Sequence, residues 1–449
     1  MSKSISRRGF LAASGAVAAL AAGGAEAKKT EAATEPKKGR LIVSPPVLQN
    51  AAENSMCVAF AVSDMANGYV EYSTSPDMSN AVKVKCGGYR VTDMNDLAMR
   101  VRLRNLKSAT RYYYRIGADR IEYKHGYSMK IVGTEVDPVV RSFTTAGSAA
   151  RSHFAVINDT HKQWKPFGLV VDKVEELDPA FVVWNGDCTN TEEKFQNLID
   201  AYLAPKIAKQ DYAANRAYCL VQGNHEYRGM ANRHAERVWM FRDPEERQSR
   251  DWDLGRNFAI RQGDIAIIGL DTAEDKLDSR DVFAGLFCSE PYREAQAVWL
   301  KDALERPEIK SAPHLVACCH IPIFDPRPNV NPGDLRPNDN GGHAAWQRTC
   351  GNLWGPLLNK AGCQLVITAH QHRYRFDAPS GERKWAQIVG GGPELGEVVV
   401  DWKTGKKKKD ATRFPTVVDV KAEGGKLKVV VHDVFNKRIV EEFSFNARA

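Results

Sequence analysis

From residue 152 onward, five short apolar runs each stop dead at a polar cluster, and this recurrence limits the fold more than any other feature. Phe154–Ile157 runs into Asn158-Asp159-Thr160-His161. Phe181–Trp184 runs into Asn185-Gly186-Asp187, and Tyr218–Val221 into Gly223-Asn224-His225-Glu226. Leu315–Cys319 ends at His320, and Leu365–Ile367 leads into Ala369-His370-Gln371-His372. Each run is continuously apolar and β-prone, as a strand buried on both faces must be. Stretches with helical spacing, Leu169–Leu177, Glu192–Leu203 and Arg293–Leu304, fall between or beside them, which is the alternation of an α/β fold. Ligands of such sheets collect beyond the carboxyl ends of the strands, so the five tips are expected at one edge of one core.

Taken singly, these pieces say little. An Asp-x-His, an Asn-His after glycine or a histidine ending a strand is usually structural. His370 and His372 say more, because residues two apart on an extended segment face the same side. Together, Asp, Asn and imidazole ligands suit metals of borderline hardness, and iron, manganese and zinc all qualify. No Cys-x-x-Cys pair is present, which argues against a structural zinc site.

The order Asp-x-His, Gly-Asp, Gly-Asn-His-Glu, His, His-x-His resembles the calcineurin-like metallophosphoesterase superfamily over about residues 152–400. The resemblance implies two packed mixed sheets flanked by helices and two adjacent metal ions. It implies that Asp159, His161 and His372 hold one ion, that Asn224, His320 and His370 hold the other, and that Asp187 bridges them. It further implies hydrolysis of phosphomonoesters or phosphodiesters by a metal-bridging hydroxide. His225, beside Asn224, is the expected catalytic group, protonating the leaving group or gripping the phosphate. Arg228 and His343 are candidate substrate contacts, and His234 a further one. Purple acid phosphatases carry a tyrosine shortly after the second Asp and no histidine where His161 stands. Here Asn190 or Thr191 falls near that place, so the resemblance is to the general branch. Two positions depart from the pattern: Asn158 and Ala369 stand where glycine is usual.

Residues 41–146 read as an all-β region. Met99, Val101 and Leu103 alternate with arginines, and further runs lie at Cys57–Ser63, Tyr69–Ser75, Val82–Cys86, Arg111–Gly117 and Val139–Thr145. Leu106, Thr110 and Tyr112 resemble the tyrosine-corner region of a fibronectin type III domain. A sandwich ahead of residues 152–446, the metallophosphoesterase domain, resembles the arrangement in purple acid phosphatases. The segment Phe324–His343 is rich in Pro, Gly and Asn and is expected to form a lid or substrate wall. Lys406–Lys409 is a charge run expected on an exposed hairpin, and Asp271 and Asp275 are expected to be structural.

Ser6-Arg7-Arg8-Gly9-Phe10-Leu11, an apolar run to Ala22 and Ala25-Glu26-Ala27 read as a twin-arginine signal over 1–27, followed by a polar linker over 28–40. The expected partners are therefore the twin-arginine export machinery and a small phosphate ester, and the expected location periplasmic or secreted. The apolar run is too short for a membrane span, and the mature chain offers no other. The signal contributes three cations and one anion, so removing it takes the net charge from +8 to +6. That mild excess fits an anionic substrate and does not by itself indicate nucleic acid. The nine cysteines are an odd number, scattered, and are expected to be mostly buried and reduced. The contrasting class of function is a non-catalytic surface-binding or adhesion protein with a vestigial metal centre; a complete ligand set speaks against it.

Overall fold

The structure, a computed structural model, describes residues 39–86, 97–241, 252–324, 326, 341–396, 398–400 and 405–448. The expected signal over 1–27 and most of the 28–40 linker lie outside the described residues. So does most of the expected lid, 327–340.

Two large sheets face each other across one apolar core. The first has nine strands, in the order Arg438–Asn446, Lys426–Asp433, Thr416–Glu423, His153–Ile157, Phe181–Asn185, Ala217–Val221, Val47–Gln49, Met56–Ala61, Ala98–Leu103. Four central neighbours, His153–Ile157 through Val47–Gln49, run parallel. The second sheet has six strands, in the order Phe258–Gln262, Ile265–Leu270, His314–Cys319, Leu365–Thr368, Ala386–Val389, Arg375–Asp377, the middle four parallel. Side chains between the sheets, such as Val156, Val183, Ile267, Val316 and Ile367, belong to one buried cluster. The outer face of the first sheet is covered by helices Trp164–Leu177 and Phe195–Tyr202, that of the second by Ser289–Glu305 and Gly341–Lys360. The result is the mixed-sheet α/β architecture that the alternation of runs implies. The helix expected from Glu192 begins only at Phe195, because the buried Glu192 carboxylate instead accepts from Asn190 N, Asn197 Nδ2 and Lys162 Nζ.

The N-terminal β region is not insulated from this core. Val47–Gln49, Met56–Ala61 and Ala98–Leu103 extend the nine-stranded sheet, Val47–Gln49 pairing in parallel with Ala217–Val221. Against them packs a five-stranded sheet of Val82–Lys85, Ala66–Ser73, Arg111–His125 and Ser128–Val136, with Arg141–Thr144 also pairing to Arg111–His125. Tyr112 Oη accepts from Lys107 N at 2.8 Å, the bond a tyrosine corner makes. The nine thiols form no disulfide, and seven of them are buried. No described helix is long and apolar enough to cross a membrane.

Candidate metal centre

The carboxyl ends of three strands of one sheet and two of the other meet at a single edge. His153–Ile157, Phe181–Asn185 and Ala217–Val221 deliver Asp159, Asp187 and Asn224; His314–Cys319 and Leu365–Thr368 deliver His320, His370 and His372. The turns that do this are unusual. Asp159, His161, Asp187, His370 and His372 all have positive φ, between 46° and 68°. Left-handed backbone at a non-glycine residue costs about 1–3 kcal/mol and persists only where the surroundings enforce it. Here they do. Asp159 N donates to Gly186 O and His161 N to Asp187 O; His370 N donates to Asp159 Oδ2 and His225 N to Asp187 Oδ1. Gly186 (φ 82°) and Gly223 leave room for this approach: a Cβ on the first would fall 2.4 Å from His320 Nδ1, on the second 2.3 Å from Asp187 Oδ1.

Two groups of ligand atoms result. Asp159, His161, Asp187 and His372 form one; Asp187, His320 and His370 form the other; within each the atoms lie within 4.8 Å of one another. His161 Nε2 and His372 Nε2 face each other at 2.9 Å, and Asp159 Oδ1 lies 3.4 Å from His372 Nε2. His320 Nε2 lies 3.1 Å from Asp187 Oδ2. Asn224 Oδ1 lies 2.9 Å from His370 Nδ1. Asp187 belongs to both groups. Asp159 Oδ1 is buried without a hydrogen-bond partner, an arrangement that an apolar interior does not tolerate and a cation satisfies. These donors therefore fit a metal pair.

The electrostatics agree. Burial alone would raise the Asp159 and Asp187 carboxyls. For Asp159 the charges of His372 and His320 outweigh it and hold the group below its ordinary range. For Asp187 the charge and hydrogen bond of His320 do the same, holding it well below. Burial lowers His225 to about 4, with Asp187 opposing and Arg228 assisting, so the ring is neutral at neutral pH. Arg228 Nη1 lies 3.2 Å from His225 Nε2; with Nε2 accepting, the proton sits on Nδ1, which is buried and has no partner.

The remaining expected residues fall as follows. Arg228 is near the centre but engaged: Nε and Nη2 grip Glu274 at 2.9 and 2.6 Å, and Nη2 also meets Asp275. His234 is exposed, 3.7 Å from Glu236. His343 stands in the first turn of Gly341–Lys360, and its side chain lies outside what is described. Asp271 is buried and accepts from Tyr227, Tyr292 and Ala273 N. Asp275, expected to be structural, instead reaches the centre's rim, 3.8 Å from His370 Nε2. Asn190 Oδ1 receives His161 Nδ1 at 3.0 Å. Asn158, in place of the usual glycine, donates through Nδ2 to Asp159 Oδ2 and to Gly391 O, both at 2.7 Å.

Three acidic residues at the centre had no role from sequence. Glu226 is buried and accepts from Asp187 N, Gly223 N and Thr189 N, clamping two ligand loops together. A glutamate directly following Asn-His in a turn was the available signal. Glu274 and Glu394 gave none, being far along the chain from the residues they touch.

Residues 152–374 match the family model for calcineurin-like phosphoesterases, and residues 45–131 that for the N-terminal domain of purple acid phosphatases. Similar solved structures include the purple acid phosphatase PPD1 from seeds of yellow lupin (Lupinus luteus). It is 14% identical with a TM-score of 0.57, over 91% of this chain and 74% of that one. PhoD is 12% identical with a TM-score of 0.59, over 92% of this chain and 95% of that one. At such identities the likeness is one of fold. No curated protein matches the sequence.

Proposed function

Because residues 152–374 are a calcineurin-like phosphoesterase domain and the chain is thereby a metal-dependent phosphoester hydrolase, we propose that it is an exported enzyme acting on phosphomonoesters or phosphodiesters at a binuclear centre. Asp159, His161 and His372 would hold one ion, Asn224, His320 and His370 the other, and Asp187 would be shared. The observation that carries this reading is the membership of Asp187 in both ligand groups. Iron, manganese or zinc would suit the donors. Such a pair supplies an acidified water and neutralises the charge that develops on the transferring phosphoryl group.

The chain's own residues do the rest. Glu226 and the main-chain bonds between the loops hold the ligands in place before any cation arrives, so little reorganisation is left for the reaction. His225, neutral and with Nδ1–H free, donates a hydrogen bond to a phosphate or leaving-group oxygen. Arg228 fixes that tautomer from the far side of the ring, while Glu274 and Asp275 neutralise its charge. Export through the twin-arginine route rests on Arg7 and Arg8 with the apolar run that follows, and suits a protein that acquires metal while folding inside the cell.

The mature protein, reconstituted with metal, is to be screened on simple monoesters, bis-esters and cyclic nucleotides. Chelation should abolish turnover and re-addition restore it; full activity after exhaustive metal removal refutes the mechanism. Replacing Arg7 and Arg8 by lysine should retain the chain in the cytoplasm.

A further inference from the structure

The assignment of ligands leaves one anion at the rim without a role. Glu394 follows the glycine turn Gly390–Gly392 that leaves the strand Ala386–Val389. Its Oε1 lies 3.1 Å from His372 Nδ1 and 3.1 Å from Arg413 Nη1. Its Oε2 is buried with no hydrogen-bond partner. Gly392 makes the approach possible, since a Cβ there would fall 2.6 Å from His372 Cβ and 2.7 Å from Glu394 Oε2.

The four histidines differ in what holds their other nitrogen. His161 Nδ1 meets the Asn190 amide oxygen and His320 Nδ1 the main-chain oxygen of Asn185, while His370 turns Nδ1 to the ligand oxygen of Asn224 and has Nε2 3.8 Å from Asp275 Oδ2. The acceptors behind His161 and His320 are neutral, whereas His372 Nδ1 meets a carboxylate within hydrogen-bond distance. A ring donating Nδ1–H presents the lone pair of Nε2, and here Nε2 faces Asp159 Oδ1 and His161 Nε2. A carboxylate on the far nitrogen also makes the ring a stronger ligand.

We infer that Glu394 is a positioning residue that fixes the tautomer of His372 and strengthens it as a ligand. The Asp159–His161–His372 half thereby holds its cation more tightly than the Asn224–His320–His370 half. The inference rests on the binuclear reading above. It adds charge to an existing asymmetry, because the first half owns Asp159 outright and the second owns no carboxylate. Arg413 braces Glu394 and does not touch the ring's role.

The test is chelator competition on the full chain loaded with Mn(II) or with Zn(II), counting bound metal by mass spectrometry at each step. The wild type should release two ions in separate steps. In Glu394→Gln the tighter step should weaken about 10–100-fold while the weaker step stays put. Glu394→Asp should recover part of the loss. Arg413→Gln, which keeps the carboxylate on His372, should leave the tight step within about threefold of wild type, by the same reasoning that only the carboxylate tunes the ligand. The inference is overturned if Glu394→Gln keeps both steps, or if both steps weaken together with a lower melting temperature of the metal-free chain. It is equally overturned if Arg413→Gln behaves like Glu394→Gln. A wild type that never binds a pair overturns the binuclear reading itself, and is told apart by that result alone.

Discussion

The ligand loops and the long hairpin of Arg111–His125 and Ser128–Val136 use the same chain for opposite purposes. In the loops, Asp159, His161, Asp187, His370 and His372 are left-handed; the first three are buried and the two C-terminal histidines partly so, and the loops are tied from several sides. In the hairpin, no non-glycine residue is left-handed, and Met129, Ile131 and Val132 point into solvent. Among the described residues, Ser128–Val136 is an edge strand that pairs with Arg111–His125 alone. The loops hold about 1–3 kcal/mol of backbone strain per residue to aim a side chain. The hairpin holds none and aims nothing at the centre. Substitutions in the first region should therefore move chemistry more than stability, and in the second stability more than chemistry.

Asp187→Asn should give the largest effect. It keeps the shape that accepts from His225 N but removes the charge shared by both ligand groups. Losing several kcal/mol of charge stabilisation amounts to about 10³-fold or more in kcat/KM. Far-ultraviolet circular dichroism should be unchanged. A variant that unfolds instead would put the loops in the stability class and break the comparison.

His225→Gln comes next, with a loss of about 10²–10⁴-fold in kcat and both metals retained. Its pH dependence sharpens the test. The ring is neutral above about pH 4, so its contribution should be flat from there upward. As pH falls through about 4 the ring gains a proton on Nε2, Arg228 is repelled, and the rate should drop. Bound cations only push that limb lower. A pH–rate profile in which the variant keeps the wild-type limb would assign it to another group.

Asn158→Gly restores the glycine common at that position and should nonetheless weaken this enzyme. The amide of Asn158 holds Asp159 Oδ2 at 2.7 Å, and glycine removes that bond while freeing an already strained turn. A ligand that loses such support costs about 10–100-fold in metal affinity or activity. Metal titration beside kcat/KM distinguishes the two routes.

How far the sequence carries follows from the same contrast. The five strand ends were legible because each apolar run is unbroken and each tip is chemically odd for a core. The two-sheet split was legible only through the family resemblance, since periodicity says which segments are strands and not which sheet receives them. Asp275 and Glu394 reach the centre through loops whose course depends on packing, so no spacing announces them. Ser128–Val136 escaped notice for the opposite reason: its residues are exposed on both faces, and Gly133 and Lys130 interrupt any alternation. Tyr112 was legible, because its place relative to Leu106 and Thr110 marks a turn that needs a phenol to close.

Tyr112→Phe should give the smallest effect, and it probes the other side of the comparison. Tyr112 packs on Phe143 with ring centroids 5.6 Å apart and on Tyr72 at 5.9 Å, and phenylalanine preserves both contacts. Only the bond from Lys107 N to the hydroxyl is lost. A single neutral hydrogen bond contributes about 0.5–1.5 kcal/mol net, and the freed N–H is part-buried, so the unfolding free energy from denaturant titration should fall by about that much. The ligands are held by bonds among loops that Tyr112 does not touch, so kcat and metal content should match wild type. Because Val47–Gln49 joins this region to the strand that carries Asn224, the two are not mechanically separate. A fall in kcat without a fall in metal content would mean that the N-terminal sheet sets the position of Asn224, and the division between stability and chemistry would have to be redrawn at that strand.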